Sequence, residues 1–480
     1  MIDTQAIRNK ILDLAMRGQL TEQLPEDGTA EELYQQIQAE KQKLIEEGKI
    51  KTQKSLPEIS EDEMPFDIPN SWKWVVFETI ITLQSGQDLK KEEYNSNEKG
   101  IPYLTGASNF DEKGQLIINR WTEQPKNIAI KGDVLLSCKG TVGKLAILLE
   151  DQVHLARQFM AIRTYNVNVN FIAFFMQSII EGIKKSSKGL IPGIERKDIL
   201  HLLFPLPPLT EQQRIVEKAK QAFSVLEIID ELQAQYAENI TALKSKLIDA
   251  AIRGKLTEQL PEDGTAEELY QQIQIEKAKI VFERKGRKDN SILPVDEKEP
   301  FEIPEKWKWI RFGETGFFRK GPFGSSLTKS MFVPKSADTI KVYEQQHTIK
   351  KDHTLGTYYI TKEYFDTSMK GFEVLSGDII VSCAGTIGET YILPNNIERG
   401  IINQALMRIT VVPSIDKQFF LYYFDSQLKK SAQDGNGSAI TNIPPFDVLK
   451  NLYFPLPPLA EQKRIVQKLE QILPLCEITK

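Results

Sequence analysis

The stretch LTEQLPEDGTAEELYQQIQ occupies residues 20–38 and returns letter for letter at 256–274. A second echo follows, with FPLPPLTEQQRIV at 204–216 answered by FPLPPLAEQKRIV at 454–466. Between these near-identical blocks lie two long segments that share a layout and differ in most residues. A chain of this kind folds as a duplicated unit. Two surfaces kept the same suggest one kind of partner bound twice, and two allowed to differ suggest two different things being read.

A chain of 480 residues is too long for one core and fits two globular domains with connecting elements. Its polar start, MIDTQAIRNK, and the lack of any apolar run of membrane-spanning length lead us to expect a cytoplasmic protein. The net charge of −5 divides unevenly. Residues 65–208 hold 17 Lys and Arg against 15 Asp and Glu, and residues 300–458 hold 18 against 16, so each divergent segment is +2 and the remainder is −9. The acidity therefore sits in the repeated elements, and the divergent domains are mildly basic.

From Leu209 to about Arg253 there is no Pro or Gly, and the stretch opens on the capping pattern Thr210-Glu-Gln-Gln213. Within it, Ile215, Ala219, Ala222, Leu226, Ile229, Gln233, Tyr236, Ile240, Leu243, Leu247 and Ala250 recur at alternating steps of four and three, the seam of a coiled coil. The termini read as halves of a second such helix. Ile7, Ile11 and Leu14 correspond to Leu243, Leu247 and Ala250, and Ile465, Leu469 and Ile472 to Ile215, Ala219 and Ala222. The resulting expectation is an antiparallel pairing of the central helix with this split copy, related by a pseudo-twofold axis.

An acidic arm follows each helix, with capping boxes Thr29-Ala-Glu-Glu32 and Thr265-Ala-Glu-Glu268 opening helices through Leu33 and Ile37, or Leu269 and Ile273. These four apolar residues are the expected partner-binding positions. Trp72 and Trp74, like Trp307 and Trp309, stand two apart at the start of each divergent segment and read as a half-buried strand that opens its core. Inside the segments, Gly132-Asp-Val-Leu-Leu-Ser-Cys-Lys-Gly-Thr-Val-Gly143 matches Gly377-Asp-Ile-Ile-Val-Ser-Cys-Ala-Gly-Thr-Ile-Gly388, a strand, a glycine turn and a returning strand. Helices are expected at 169–184 and 416–431. The architecture is thus α/β: two mixed α/β domains joined by long antiparallel coiled-coil helices. In chain order this gives a half helix at 1–20, an arm and linker at 21–64, a domain at 65–208 and the central helix at 209–255. A second arm (256–299), a second domain (300–458) and a second half helix (459–480) follow.

The paired GDVLLSCKGTVG and GDIIVSCAGTIG, the paired PLPPLTEQ and PLPPLAEQ, and the RGQLTEQLP and RGKLTEQLP blocks together resemble the DNA-specificity subunit of type I restriction–modification systems. The resemblance covers essentially the whole chain. It implies a subunit without chemistry of its own. Each divergent segment would be a target recognition domain reading one half of a bipartite, asymmetric site on double-stranded DNA. The helices would set the spacing and dock two methyltransferase subunits, with motor–nuclease subunits joining for restriction. S-adenosylmethionine, ATP and Mg²⁺ would then belong to the partner subunits, and this chain would bind no cofactor.

The residues agree in one respect: catalytic constellations are missing. Asn442-Ile-Pro-Pro-Phe446 carries an inserted Ile relative to an amino-methyltransferase motif and reads as a loop entering the last strand. His154, His201, His347 and His353 stand in no ligand or nucleophile pattern. The runs at 111–113 and 296–298 lack the further carboxylate a metal nuclease needs, and Cys138, Cys383 and Cys476 read as buried small hydrophobes. For DNA contact the candidates are Lys139, Thr141, Lys144 and Thr386 around the glycine turns, Arg157, Gln404, and Arg319, Lys320, Ser325 and Ser326 in the run RKGPFGSS. Lys184, Lys185, Ser187 and Lys188, with Lys429, Lys430, Asn436 and Ser438, pair lysines with small polar residues at helix ends. That pattern suits phosphate contact and equally suits a basic helix terminus satisfying its own dipole. An autonomous two-domain DNA-binding regulator and a nonenzymatic scaffold remain as alternative readings.

Overall fold

The computed structural model describes residues 1–50, 59–111, 115–186, 193–283, 291–296, 299–433 and 445–477. The chain divides into two compact units, Met1–Ala234 and Gln235–Lys480. The division falls inside one long helix.

The first unit comprises α1 (Thr4–Met16), α2 (Ala30–Glu46), β1 (Lys73–Val76), β2 (Ile81–Ser85), β3 (Ile101–Leu104), β4 (Trp121–Thr122), β5 (Ile128–Ile130), β6 (Val134–Ser137), β7 (Leu145–Ile147), β8 (Gln152–Leu155), β9 (Phe159–Thr164), α3 (Val169–Ser186), α4 (Arg196–Leu200), β10 (Leu203–Leu206) and the first half of α5 (Leu209–Ile252). Its strands form an antiparallel sheet β2-β9-β6-β7, a mixed sheet β4-β3-β8-β5 in which β3 and β8 are parallel, and the pair β1-β10. Apolar β6 is buried along its length, and α3 lays Phe171, Phe175 and Met176 into the same core. Phe175 meets Phe204 edge-on, with ring centres 4.8 Å apart.

The second unit repeats this plan. After the rest of α5 come α6 (Ala266–Glu283), β11 (Lys308–Arg311), β12 (Gly316–Lys320), β13 (Thr339–Tyr343), α7 (Gln345–Lys350), β14 (Tyr359–Thr361), α8 (Lys362–Tyr364), β15 (Glu373–Val374), β16 (Ile379–Ser382), β17 (Thr390–Ile392), β18 (Gly400–Ile402), β19 (Leu406–Val411), α9 (Lys417–Gln433), α10 (Phe446–Lys450), β20 (Tyr453–Leu456) and α11 (Leu459–Ile472). The sheets are β12-β19-β16-β17, β14-β13-β18-β15 and β11-β20, in the same order as their counterparts. The helices expected at 169–184 and 416–431 are α3 and α9. The segment before β20, expected to be a loop, contains the short helix α10.

The repeated blocks meet one another in space. At the first turn of α5, buried Glu211 accepts from Trp72 Nε1 at 2.8 Å, Gln23 Nε2 at 2.9 Å and Thr21 Oγ1 at 3.4 Å. One turn on, Arg214 reaches both oxygens of Asp27 at 2.5 and 2.6 Å and Glu22 O at 2.9 Å. In the second unit, buried Glu461 accepts from Trp307 Nε1 at 2.8 Å, Gln259 Nε2 at 2.7 Å and Thr257 Oγ1 at 3.1 Å. Arg464 there grips Asp263 at 2.5 and 2.6 Å. Bidentate guanidinium–carboxylate pairs are strong and geometrically exacting. The hydrogen bond from each arginine holds its aspartate below the usual carboxylate range. Gln212 and Gln462 complete the match by accepting from Asn168 N and Asp416 N, both at 2.8 Å. Trp72, Trp74, Trp307 and Trp309 are all buried, so their part is structural; β1 begins at Lys73, after Trp72.

This corrects the expected partner contacts. Leu33 and Ile37 lie buried in the first unit's core, Ile273 is fully buried in the second, and Leu269 packs partly buried against it. An apolar pair four apart on a helix serves an internal core as well as an external one. In the first arm, Lys41 completes the anchorage by donating to the carbonyls of Glu78, Thr79 and Ile81 at 2.8–3.1 Å. Burial there pushes its ammonium down to about 8.

The helix α1 runs antiparallel to the start of α5, since Thr4 bonds Asp230 at 2.5 Å while Thr21 reaches Glu211. Along the expected seam, Ile215, Ala219 and Leu226 are buried and Ile229 half-buried. The buried residues of α1 are Thr4, Leu12, Ala15 and Met16, while Ile11 and Leu14 are half-buried and Ile7 is exposed. In the second unit Ile240 and Leu247 are half-buried, whereas Tyr236 and Leu243 are 54% and 44% exposed. The continuous seam is therefore covered in part. The helix α11 stops at Ile472 and gives way to a 3₁₀ turn through Cys476 that carries Pro474 near its start.

Candidate nucleic-acid interface

In each antiparallel sheet, one end gathers the candidate loops. Pairing Ser137 with Phe159, Ser85 with Met160 and Leu136 with Leu145 brings the end of β2, the turn before β9 and the β6–β7 glycine turn to the same edge. Lys139, Thr141, Lys144 and Arg157 are thereby assembled. Lys184 joins them from α3: a Cβ on Gly143, whose φ is +89°, would lie 2.3 Å from Lys184 Cε. The Lys184 ammonium bonds Glu181 at 2.7 Å. In the second unit the corresponding pairings, Ser382 with Leu406, Lys320 with Met407 and Val381 with Thr390, gather Arg319, Lys320, Ser325, Ser326, Thr386 and Gln404. Ser187, Lys188, Asn436 and Ser438 lie outside the described residues, as do the side chains of Lys185, Lys429 and Lys430.

Serine builds both glycine turns. Ser137 Oγ donates to Thr141 O and accepts from Lys144 N, each at 2.8 Å, and Ser382 Oγ accepts from Glu389 N at 2.9 Å. Thr141 and Thr386 point outward from these rigid frames. The outward residues then diverge. Lys144 holds its ammonium 5.5 Å from the centre of the Phe110 ring, while Glu389 in its place pairs with Lys351 at 2.9 Å. Burial raises the Cys138 thiol and pushes Cys383 up to about 11, so both stay protonated beside these turns.

The sharpest difference lies where Gly86 and Gly321 press against the neighbouring turn. A Cβ on either would fall within 2.0 Å of a backbone oxygen, Ala156 O or Asn403 O. Two residues on, the first unit has Asp88, which binds Arg157 Nε through Oδ2 at 2.8 Å and Arg157 N through Oδ1 at 3.0 Å. The Arg157 side chain remains 67% exposed. In the second unit Phe323 and Gln404 occupy these two places, and both are exposed. Asp88 was absent from the sequence candidates because its partner is 69 residues away.

Two of the histidines, His154 and His347, are buried on backbone partners. His154 is fully buried, with Nε2 at 2.9 Å from Gln87 O and Nδ1 accepting from Lys126 N and Asn127 N, and burial lowers its pKa. His347 Nε2 lies 2.7 Å from Leu355 O. Among the described residues, no group of His, Cys, Asp and Glu could hold a metal ion, and no helix is long and apolar enough to cross a membrane.

The family model for the type I restriction modification DNA specificity domain matches residues 69–235 and 305–480. The chain is 26% identical to the type I restriction enzyme EcoAI specificity subunit of Escherichia coli, over 98% of this chain and 89% of that protein. It is also 26% identical to the EcoEI specificity subunit of Escherichia coli, with the same coverage. Two solved structures share the fold. One comes from work on complex assembly and conformational transition of a type I R-M system, with a TM-score of 0.57 at 19% identity, covering 86% of this chain and 92% of that one. The other is the HsdS subunit from Thermoanaerobacter tengcongensis, with a TM-score of 0.50 at 19% identity, covering 86% and 91%. With its recognition segments matched in both units, the chain belongs to the family of type I restriction–modification DNA specificity subunits.

Proposed function

We propose that each recognition domain reads one half of a bipartite, asymmetric site on double-stranded DNA through its sheet-end loops, and that the chain contributes recognition without chemistry. The observation that carries this reading is the contrast between the units. The internal junctions around Glu211 and Glu461 match bond for bond, while the exposed residues at the sheet ends differ: Asp88 and Arg157 against Phe323 and Gln404. Selection that preserves a frame and varies its tips is what two different half-sites require. Arg157 suits base readout because Asp88 fixes its Nε and leaves both Nη atoms to face a guanine edge.

Replacing Arg157 with Ala is expected to relax one base pair of the first half-site, with discrimination there falling about ten- to a hundred-fold, and to leave the second half-site as it was. Arg157→Lys should not restore it, since an ammonium lacks the planar fork. Methylome sequencing of cells carrying the variant with its methyltransferase reads the outcome directly. Unchanged recognition at every position would remove Arg157 from the base-reading set.

The partners in this reading are two methyltransferase subunits and, for restriction, motor–nuclease subunits, which would use S-adenosylmethionine, ATP and Mg²⁺. With the arm residues buried, docking falls to another surface. On the first half of α5, Val225, Ile228 and Leu232 are each more than half exposed at helical spacing, and exposed apolar residues grouped on one face mark an interaction site. Val225→Asp with Leu232→Asp is expected to reduce methyltransferase co-purification at least tenfold without unfolding the chain. Full retention of the partner would place docking elsewhere. A chain that never co-purifies with a methyltransferase would favour the autonomous regulator.

A further inference from the structure

Phe323 is 87% exposed, the most exposed large apolar side chain among the described residues. It stands on a braced loop. Before it, Gly321 N donates to Leu406 O at 2.9 Å, and the backbone of Gly321 lies so close to Asn403 O that no Cβ would fit. Pro322 is buried. After it, Ser326 N donates back to Phe323 O at 2.8 Å, Tyr364 Oη donates to Ser326 O at 2.7 Å, and Leu327 is buried among Ile340, Phe365 and Ile401. Both stems of the loop are thus fastened and the ring projects. Gly324 and Ser325 beside it are small and exposed, and a Cβ on Gly324 would meet open space.

We propose that Phe323 is a wedge that enters a base step in the half-site read by the second recognition domain, unstacking and kinking the duplex there. This inference rests on the DNA-reading function proposed above. An apolar ring on a rigid support beside groove-reaching polar groups is how proteins open a stacked step. Arg319 and Lys320 immediately upstream, both exposed, supply cationic groups for the flanking phosphates. A hydrophobic pocket on a protein partner would also accept a phenylalanine, but the loop projects from the sheet end that carries Thr386 and Gln404 rather than from a helix face. The first domain carries Asp88 at the corresponding place, and a carboxylate held to Arg157 cannot enter a stack. One half-site is therefore opened by a wedge and the other is read without one.

The test uses the full chain with its methyltransferase and duplexes of the methylated site, with 2-aminopurine placed at successive positions of the second half-site. The wild type should raise fluorescence at one step. Phe323→Ala should abolish that rise and weaken binding about ten- to a hundred-fold, with the salt dependence unchanged because no phosphate contact is lost. Phe323→Trp should keep both, and Asp88→Ala should leave the signal intact. If Phe323→Ala binds and unstacks like the wild type, the wedge is wrong while DNA reading stands. If Phe323→Ala instead loses the methyltransferase, the ring docks protein. If the wild-type assembly does not distinguish its site from random duplex, the reading function itself fails and the wedge with it.

Discussion

Glu211→Ala should destabilise the first unit by on the order of 3 kcal/mol or more, and Glu461→Ala the second by a similar amount. Removing a buried carboxylate also removes its desolvation cost, which works in the other direction. The loss dominates because the deeply buried Trp72 indole N–H and the Thr21 hydroxyl lose their acceptor together, while the Gln23 amide loses one of three. Each hydrogen bond to a charged group contributes roughly 1.5–3 kcal/mol, and a buried donor left unsatisfied costs about 1–3 kcal/mol more. Glu211→Gln, which keeps one acceptor oxygen, should fall between. Hydrogen exchange resolved by peptide would show α1, β1 and the start of α5 exchanging faster in Glu211→Ala, with β11 and α11 unchanged. Equal loosening of both units would mean that they do not hold their stability separately.

The same junction explains what was legible in the sequence and what was misread. Repetition, the long helix and the relation between the termini could all be seen, because each rests on local spacing or on direct identity. Periodicity placed α3 and α9, and the glycine turns announced the β6–β7 and β16–β17 hairpins. The purpose of the identical blocks was less accessible. Identity suggested a shared external partner, but it is also what a shared internal contact produces, and Gln23, Asp27, Trp72, Glu211 and Arg214 come from three distant stretches that meet only after folding. Leu33 and Ile37 were misplaced for this reason. At the candidate interface, Arg157 and Gln404 are each legible as candidates, whereas Asp88 is not. Phe323 was the least legible of all: an apolar residue is expected inside, and only the buried Pro322 and Leu327 on either side force it out.

Exchanging residues 65–208 for the matching domain of another specificity subunit should replace the first half-site completely and leave the second unchanged. The fold favours such a graft. β1 pairs antiparallel with β10, Lys73 opposite Leu206 and Val76 opposite Leu203, so the chain enters and leaves the domain side by side. A new domain is thus joined to the frame at two neighbouring strands. The frame contacts it must reproduce include the Trp72 indole on Glu211, Asn168 N on Gln212, Ser71 O under Ala30 N, the carbonyls that receive Lys41 and Gln38, and the apolar surface that shares a core with Leu12, Leu33, Ile37 and Ile215. A donor that keeps a tryptophan at position 72 and the apolar surface facing α1, α2 and α5 should therefore fold, while one without the tryptophan would leave Glu211 short of a donor and lower the yield. Each unit is built around hydrophobic clusters of its own, so a change confined to the first core is expected to leave the second intact. Methylome sequencing should then report a new first half-site, the old second one, and the original number of intervening base pairs, because α1, α5 and α11 are untouched. A changed spacer with both halves correctly read would take the measuring role from the helices, and a second half-site altered by the graft would show that the two domains do not read independently.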